Sequence, residues 1–273
     1  MRKIFRLAQC FLICAALLVS FKSFATDCPS GGITSSITCT GNISTSGVTA
    51  YGIYLLNSDS NNTNTVNMTG NITTSGASAY GIYLYNSSST SNTNTSTVNM
   101  TGNITTSGVT AYGIALRNSG SNSNNTNTVN MTGTISTTGA TAYGIYLFNT
   151  SSTSNTNTVN MTGNISTSGA TAYGILLQNS GSNSNSNNTV NMTGNISTSG
   201  ATAYGILLSN SGTSDNSTNT VNMTGRISAT GAGSYAIYAL NASSTSSSTV
   251  QLNKGSSVIG VIESSGTSPA TIS

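Results

Sequence analysis

Apolar and polar residues alternate along most of this chain, and the alternation itself recurs. In Val66-Asn67-Met68-Thr69-Gly70-Asn71-Ile72 the apolar side chains fall on every second or fourth position. Eight residues after Ile72 a second run begins, Tyr80-Gly81-Ile82-Tyr83-Leu84-Tyr85-Asn86, followed by a spacer of Ser, Thr and Asn. The pair of runs is written seven times between Ile37 and Asn241. Aligning the tyrosines Tyr51, Tyr80, Tyr112, Tyr143, Tyr173, Tyr204 and Tyr235 gives separations of 29, 32, 31, 30, 31 and 31 residues. A self-similar period of this size is the signature of a solenoid.

Within a copy, positions that stay the same alternate with positions that vary, which is the two-residue period of a strand. The Val, Met, Gly and Ile of the first run and the Tyr, Ile and Leu of the second are expected to face inward. Asn71, Thr134 and Arg226 at one varying position, and Tyr85, Arg117, Phe148 and Gln178 at another, are expected to face outward. No sustained helical periodicity competes, and β-branched residues occur throughout. The expected fold is all-β, a parallel β-helix of about seven to eight coils with a repeat of ~31 residues.

Between the runs, a glycine (Gly47, Gly76, Gly108, Gly139, Gly169, Gly200, Gly231) is expected to turn the corner through a positive φ. The glycine after each Tyr either admits close approach of a neighbouring backbone or faces outward; Ala236 replaces it in the seventh copy, which reads as a mild constraint. Length variation falls in the spacer, such as Ser87 to Thr97, expected to be a variable loop face. Asparagine columns at Asn67, Asn99, Asn130, Asn160, Asn191 and Asn222, and at Asn57, Asn86, Asn118, Asn149, Asn179, Asn210 and Asn241, are expected to stack as amide ladders along the rod.

The ends read differently. Residues 1–25 have the pattern of a secretory signal: Arg2, Lys3 and Arg6, an apolar stretch from Cys10 to Ser20, and small residues at Ser23 and Ala25. Residues 26–36 would form an N-terminal cap, 37–249 the seven-copy solenoid, and 250–273 a partial last coil with a tail. Beyond the signal, Arg117, Arg226 and Lys254 stand against Asp27, Asp59, Asp215 and Glu263, a net charge of −1. That balance supports neither nucleic-acid binding nor an anionic membrane surface. Cys28 and Cys39 remain; in an oxidising compartment they are a plausible disulfide, the alternative being that Cys39 is a small buried hydrophobe where later copies carry Met.

Composition narrows the chemistry further. Charged residues are 4% of the chain and histidine is absent, so groups able to serve as tuned acids, bases or metal ligands are scarce. Asp59 and Asp215 lie in spacers several coils apart. No catalytic residue, cofactor site or metal site is expected, and the chain reads as a non-enzyme.

Two surfaces are candidates for contact instead. Tyr54, Tyr83, Tyr146 and Tyr238, in one column with Ala115, Leu176 and Leu207, would form an outward apolar stripe that either binds protein or glycan or packs beneath the spacers. Paired hydroxyls at Thr73 and Ser75, Thr105 and Ser107, and Ser136 and Thr138 are either solvated corner residues or an array of the ice-binding kind.

A signal followed by Ile-(Ser/Thr)3-Gly-x-x-Ala-Tyr-Gly-Ile repeats, and a late segment Leu252-Asn253-Lys254-Gly255 through Val258-Ile259-Gly260, resembles the passenger regions of bacterial autotransporters over about residues 26 to 262. The resemblance implies a secreted or cell-surface adhesin or structural passenger of a Gram-negative bacterium. Its partner would be a protein or glycan of a host or neighbouring cell. The barrel strands expected after such a passenger are absent from the sequence, so contact with the outer membrane would need a missing or separate anchor. The alternative expectation is an ice-binding or glycan-binding solenoid.

Overall fold

A computed structural model of the chain describes residues 36–58, 63–88, 93–120, 124–150, 154–180, 185–211, 216–243, 245–266 and 270–273. Proposed signal residues, Cys28, Asp59 and Asp215 lie outside this set.

The described residues form a parallel β-solenoid. A 14-stranded and an 8-stranded sheet wrap the core, and every recorded strand pair is parallel. Pairing is like on like: Val129, Asn130 and Met131 lie against Val159, Asn160 and Met161, and Ile145 and Leu147 lie against Ile175 and Leu177. Because the sequence repeats, an in-register parallel stack places each side chain on its own counterpart in the next coil. The regular part has about six turns, those that open with Val66, Val98, Val129, Val159, Val190 and Val221. This is slightly fewer than expected.

In one coil, Thr63–Thr69 pairs in the larger sheet, the chain bends at Gly70, and Ile72–Thr74 continues in that sheet. A corner around Gly76 to Ala79 then leads into Ile82–Ser88 of the smaller sheet. In the middle coils the first two strands fuse through the bend, as in Asn125–Thr137 and Asn155–Thr167. The alternation of the first run holds: Val66, Met68 and Ile72 are buried while Thr69 and Asn71 are exposed. With Ala79, Ile82 and Leu84 they fill one side of the coil.

Four expectations need correction. First, the repeat tyrosines do not face inward. Tyr51, Tyr80, Tyr112, Tyr143, Tyr173, Tyr204 and Tyr235 are half-buried on the outside, and the alanine before each of Tyr80, Tyr112, Tyr143, Tyr173 and Tyr204 is fully covered instead. The inward column has room for a methyl where the corner brings the chain close to the core, and the bulky ring is turned out.

Second, the positive φ sits at the strand glycine, not at the corner. Gly41, Gly70, Gly102, Gly133, Gly163, Gly194 and Gly225 have φ between 98 and 138°, a region costly for residues with a Cβ. The corner glycines are required for a different reason. A Cβ on Gly76 would stand 1.8 Å from the carbonyl oxygen of Gly47 in the preceding coil, and one on Gly169 would stand 1.9 Å from that of Gly139.

Third, the glycine after Tyr is tightly constrained. A Cβ on Gly81 would meet the Gly113 carbonyl oxygen at 2.5 Å and the Ile104 Cγ2 at 2.6 Å. Ala236 is accommodated because register shifts there: Tyr235 pairs with Val261 and Ile237 with Ile262, so the alanine faces no partner. Substitution in the seventh copy reflects a local β-bulge.

Fourth, the spacer is not loop throughout. Its last residues belong to strands, so that Asn94 to Thr97 falls within Asn94–Thr101, with Asn94 and Ser96 fully buried. The signal was present: Asn64-Thr65-Val66 and Asn127-Thr128-Val129 extend the two-residue alternation backward, with asparagine taking the inward place.

Candidate binding surfaces

The interior is divided between an apolar side and an amide side. Asn86, Asn118, Asn149, Asn179, Asn210 and Asn241, all buried, face a second inward column made by Asn64, Ser96, Asn127, Asn157, Asn188, Asn219 and Ser248. The two columns are laced together. Asn157 Nδ2 donates to the Oδ1 atoms of Asn179 at 2.8 Å and Asn188 at 3.0 Å, and its Oδ1 accepts from Asn127 and Asn149 at 3.1 and 3.0 Å. Asn118 and Asn149 also donate to the carbonyls of Thr126 and Thr156 at 3.0 and 3.3 Å, across the spacers. A buried amide must find partners or lose about 1–3 kcal/mol. Here the partners tie both ends of each spacer together. Spacer length therefore varies outside a fixed neck, and that neck holds the two outer surfaces in place.

The first surface is aromatic and covers the smaller sheet. Successive repeat tyrosines stack with ring centroids 4.7 Å apart for Tyr80 and Tyr112, 4.8 Å for Tyr112 and Tyr143, 4.8 Å for Tyr143 and Tyr173, and 4.9 Å for Tyr173 and Tyr204. These distances match the strand spacing of a sheet, so backbone pitch sets the ring stack. All four sequence-selected tyrosines join it. Tyr54 stacks on Tyr83 at 5.4 Å, Tyr83 meets Tyr80 edge-on at 5.2 Å, Tyr146 meets Tyr112 edge-on at 5.6 Å, and Tyr238 lies 5.0 Å from Tyr235. The column is not continuous, because Ala115 and Leu176 are buried.

A third column, facing outward as the alternation implies, widens the patch. Tyr85 stacks beside Tyr83 and Phe148 beside Tyr146. The Arg117 guanidinium lies between them in register, 5.2 Å from the Tyr85 ring and 5.5 Å from that of Phe148, within cation–π range. Burial pushes the Tyr83 and Tyr146 phenols up to about 12, and Tyr112 higher still, so these hydroxyls stay neutral near neutral pH. Arg117 partly opposes the effect at Tyr83. Apart from Arg117, and Glu263 beside Tyr235 and Tyr238 at one end, the patch is uncharged, apolar on the ring faces and hydrogen-bonding at the phenol tips.

The second surface is a groove of about 610 Å³ that follows the long axis over the larger sheet. One side is the outward asparagine row Asn67, Asn99, Asn130, Asn160, Asn191 and Asn222; the other is Thr40, Thr69, Thr101, Thr132, Thr162, Thr193 and Thr224. The asparagines form the ladder expected from the sequence. Each Nδ2 donates to the preceding Oδ1: Asn99 to Asn67, Asn130 to Asn99, Asn160 to Asn130 and Asn191 to Asn160 at 2.8 Å, and Asn222 to Asn191 at 2.7 Å. The groove itself was not visible in the sequence, because alternation gives the direction of a side chain and not the relief of the sheet.

The corner hydroxyls are accessible: Thr73 and Ser75, Thr105 and Ser107, and Ser166 and Ser168 are exposed in pairs, while Ser136 beside Thr138 is half-buried. Cys39 is disulfide-bonded, and its expected partner Cys28 lies outside the described residues. Among the described residues, no three His, Cys, Asp or Glu side chains come together as a metal site. No protein-family model, curated protein or solved structure matches the chain.

Proposed function

We propose that the chain is a secreted, non-enzymatic surface solenoid, an adhesin or structural passenger of the autotransporter type, that uses its aromatic face for contact. The observation that carries this reading is the tyrosine array on the smaller sheet. A soluble chain rarely leaves so many adjacent rings half-uncovered without a contact for them to make. Tyrosine also suits such a contact, since its ring gives area with little conformational entropy and its hydroxyl stays available for a hydrogen bond. Export and surface display rest on the signal-like first 25 residues and on the repeat resemblance.

The partner is a protein or glycan on a host or neighbouring cell. The test is binding of the purified chain to cultured epithelial cells and to a glycan array, beside a Tyr80→Ser/Tyr83→Ser/Tyr146→Ser variant. A loss of at least tenfold in the variant, at unchanged β-sheet circular dichroism, supports the contact face. Equal binding by both proteins, or binding by neither, removes it.

Exposed hydroxyl pairs at the corner favour a second reading as an ice-binding solenoid. They repeat at coil spacing along the rod. Thermal hysteresis that disappears in a Thr73→Tyr/Thr105→Tyr variant supports it, and none in the native chain ends it.

A further inference from the structure

The amide-and-hydroxyl groove on the larger sheet lies away from the aromatic face and does not depend on its role. We infer that it is a binding site for a linear, uncharged polysaccharide lying along the solenoid axis.

Four observations lead there. The groove is built from side chains with unused hydrogen-bonding capacity. An asparagine amide has two N–H donors and two lone pairs on its oxygen. The outer ladder uses one donor and one acceptor per residue in its run from Asn222 down to Asn67. A second N–H and a lone pair per coil remain for whatever occupies the groove, and Thr69, Thr101, Thr132, Thr162 and Thr193 add exposed hydroxyls opposite. Hydroxyl and ether oxygens of a sugar chain match both rows as donors and acceptors.

None of the lining residues carries a charge. An anionic polymer would lose hydration in the groove and gain no counter-charge, which is unfavourable. That selects neutral chains over sulfated or uronic ones and over nucleic acids.

The direction and the spacing exclude peptide. The groove crosses the strands, so a peptide lying in it would find no sheet edge to extend. Its donors recur at the coil pitch, which the tyrosine stacks put at 4.7 to 4.9 Å. An extended peptide advances about 3.3 Å per residue and would fall out of step after one coil. One hexose of an extended chain advances by nearly one coil, so each sugar meets the same Asn and Thr pair.

The rows are also rigid. Each groove asparagine is held by ladder bonds, and the strand carrying it is paired on both sides. Donors fixed before binding lower the ordering cost of a long, flexible ligand.

Titration calorimetry of the full chain with cellohexaose, laminarihexaose and maltohexaose, and with the dimer and tetramer of whichever binds, tests the inference. Heparin hexasaccharide is the charged control. The expected result is binding of at least one neutral hexamer, with affinity rising at least tenfold from dimer to hexamer and no binding of heparin. Asn130→Val/Asn160→Val should weaken it at least tenfold, while Tyr83→Ala/Tyr146→Ala leaves it unchanged. Thr132→Val/Thr162→Val provides an independent arm on the other row if the asparagine variant does not fold. Binding of none of the three neutral hexamers, preference for heparin, or loss in the tyrosine variant with none in the folded groove variants would each overturn the site. The last two outcomes would leave the aromatic face standing.

Discussion

Two asparagine ladders climb this solenoid at the same pitch, one inside the coil and one in the groove, and they are not equivalent. Inside, Asn157 is fully buried and takes part in bonds with Asn127, Asn149, Asn179 and Asn188, and it also donates to the Gln178 carbonyl at 3.3 Å. Outside, Asn160 donates to Asn130 and accepts from Asn191, both at 2.8 Å, and is exposed. The residue and the period are shared, but the axial bonds run oppositely, Asn157 donating to the following coil and Asn160 to the preceding one. Number of partners and access to water separate them. Burial makes an amide obligatory where it must be satisfied, and exposure leaves the same amide with capacity to spend on a ligand.

If both ladders merely follow the backbone, the largest effect must come from a residue that sets the backbone stack. Gly163, at the bend between the rows of one coil, is such a residue. Its φ is 129°, and a Cβ would stand 1.9 Å from the Gly133 carbonyl oxygen. Gly163→Ala should destabilise by more than about 3 kcal/mol through strain and forced separation of coils. Gly41→Ala should cost only about 1 kcal/mol, the price of its left-handed φ, because nothing lies within 4 Å of that Cβ. Urea melts of the two variants decide the point; equal losses would mean that backbone contact between coils does not set the pitch.

The inner ladder should come next. Asn157→Leu removes a hub and leaves the amides of Asn127, Asn149, Asn179 and Asn188 short of partners in a region without water access. A loss of roughly 2–3 kcal/mol is expected. Because stability in a repeat array is the sum of local and nearest-neighbour terms, hydrogen exchange should show the loss concentrated in the coils on either side. A change spread evenly over the rod would contradict a local amide network.

How much of this could be read beforehand differs between the two ladders. The groove column and the inner column from Asn86 to Asn241 are legible because they recur at fixed positions, and so is the inward set Val66, Met68, Ile72, Ile82 and Leu84. The partner column Asn64, Asn127 and Asn157 was missed because it lies in a spacer whose length varies, and varying length reads as loop. Tyr80 was assigned inward because it never changes between copies. In a stack of identical coils an outward residue can be just as constant, since its neighbours above and below are copies of itself. The positive φ was placed at the corner glycine because composition cannot distinguish a glycine needed for its φ from one needed for a close carbonyl.

Aromatic rows offer a contrast that depends on pH. Amides do not titrate, so neither asparagine ladder responds to alkali, whereas the phenols do. Burial raises Tyr83 and Tyr146 from 10.0 to about 12. A proton held more tightly in the folded state gives stability that is complete below the unfolded value near 10 and is lost as pH rises through the folded value. The urea midpoint should therefore stay level up to about pH 10 and fall between there and about pH 12. Tyr83→Phe/Tyr146→Phe should reduce that fall, leaving the share of Tyr112 and the other phenols raised by burial, without moving the neutral-pH midpoint by much. A decline beginning well below pH 10 would place its cause outside the rings, and one unaffected by the double substitution would place it outside these two.

The smallest effect should come from the groove. Asn160→Ala deletes two 2.8 Å hydrogen bonds, a loss that would look serious if bonds were simply counted. Yet Asn130 and Asn191 keep their other ladder partners, Asn99 and Asn222, and water can take the vacated sites. Exposed substitutions of this kind stay within about 0.5 kcal/mol. The urea midpoint should barely move, in contrast to Asn157→Leu three residues earlier on the same strand. If the two variants lost stability equally, the groove asparagines would be as structural as the inner ones. Their spare hydrogen-bonding capacity would then be an accident of stacking, and the polysaccharide site would lose its physical basis even before a ligand was tried.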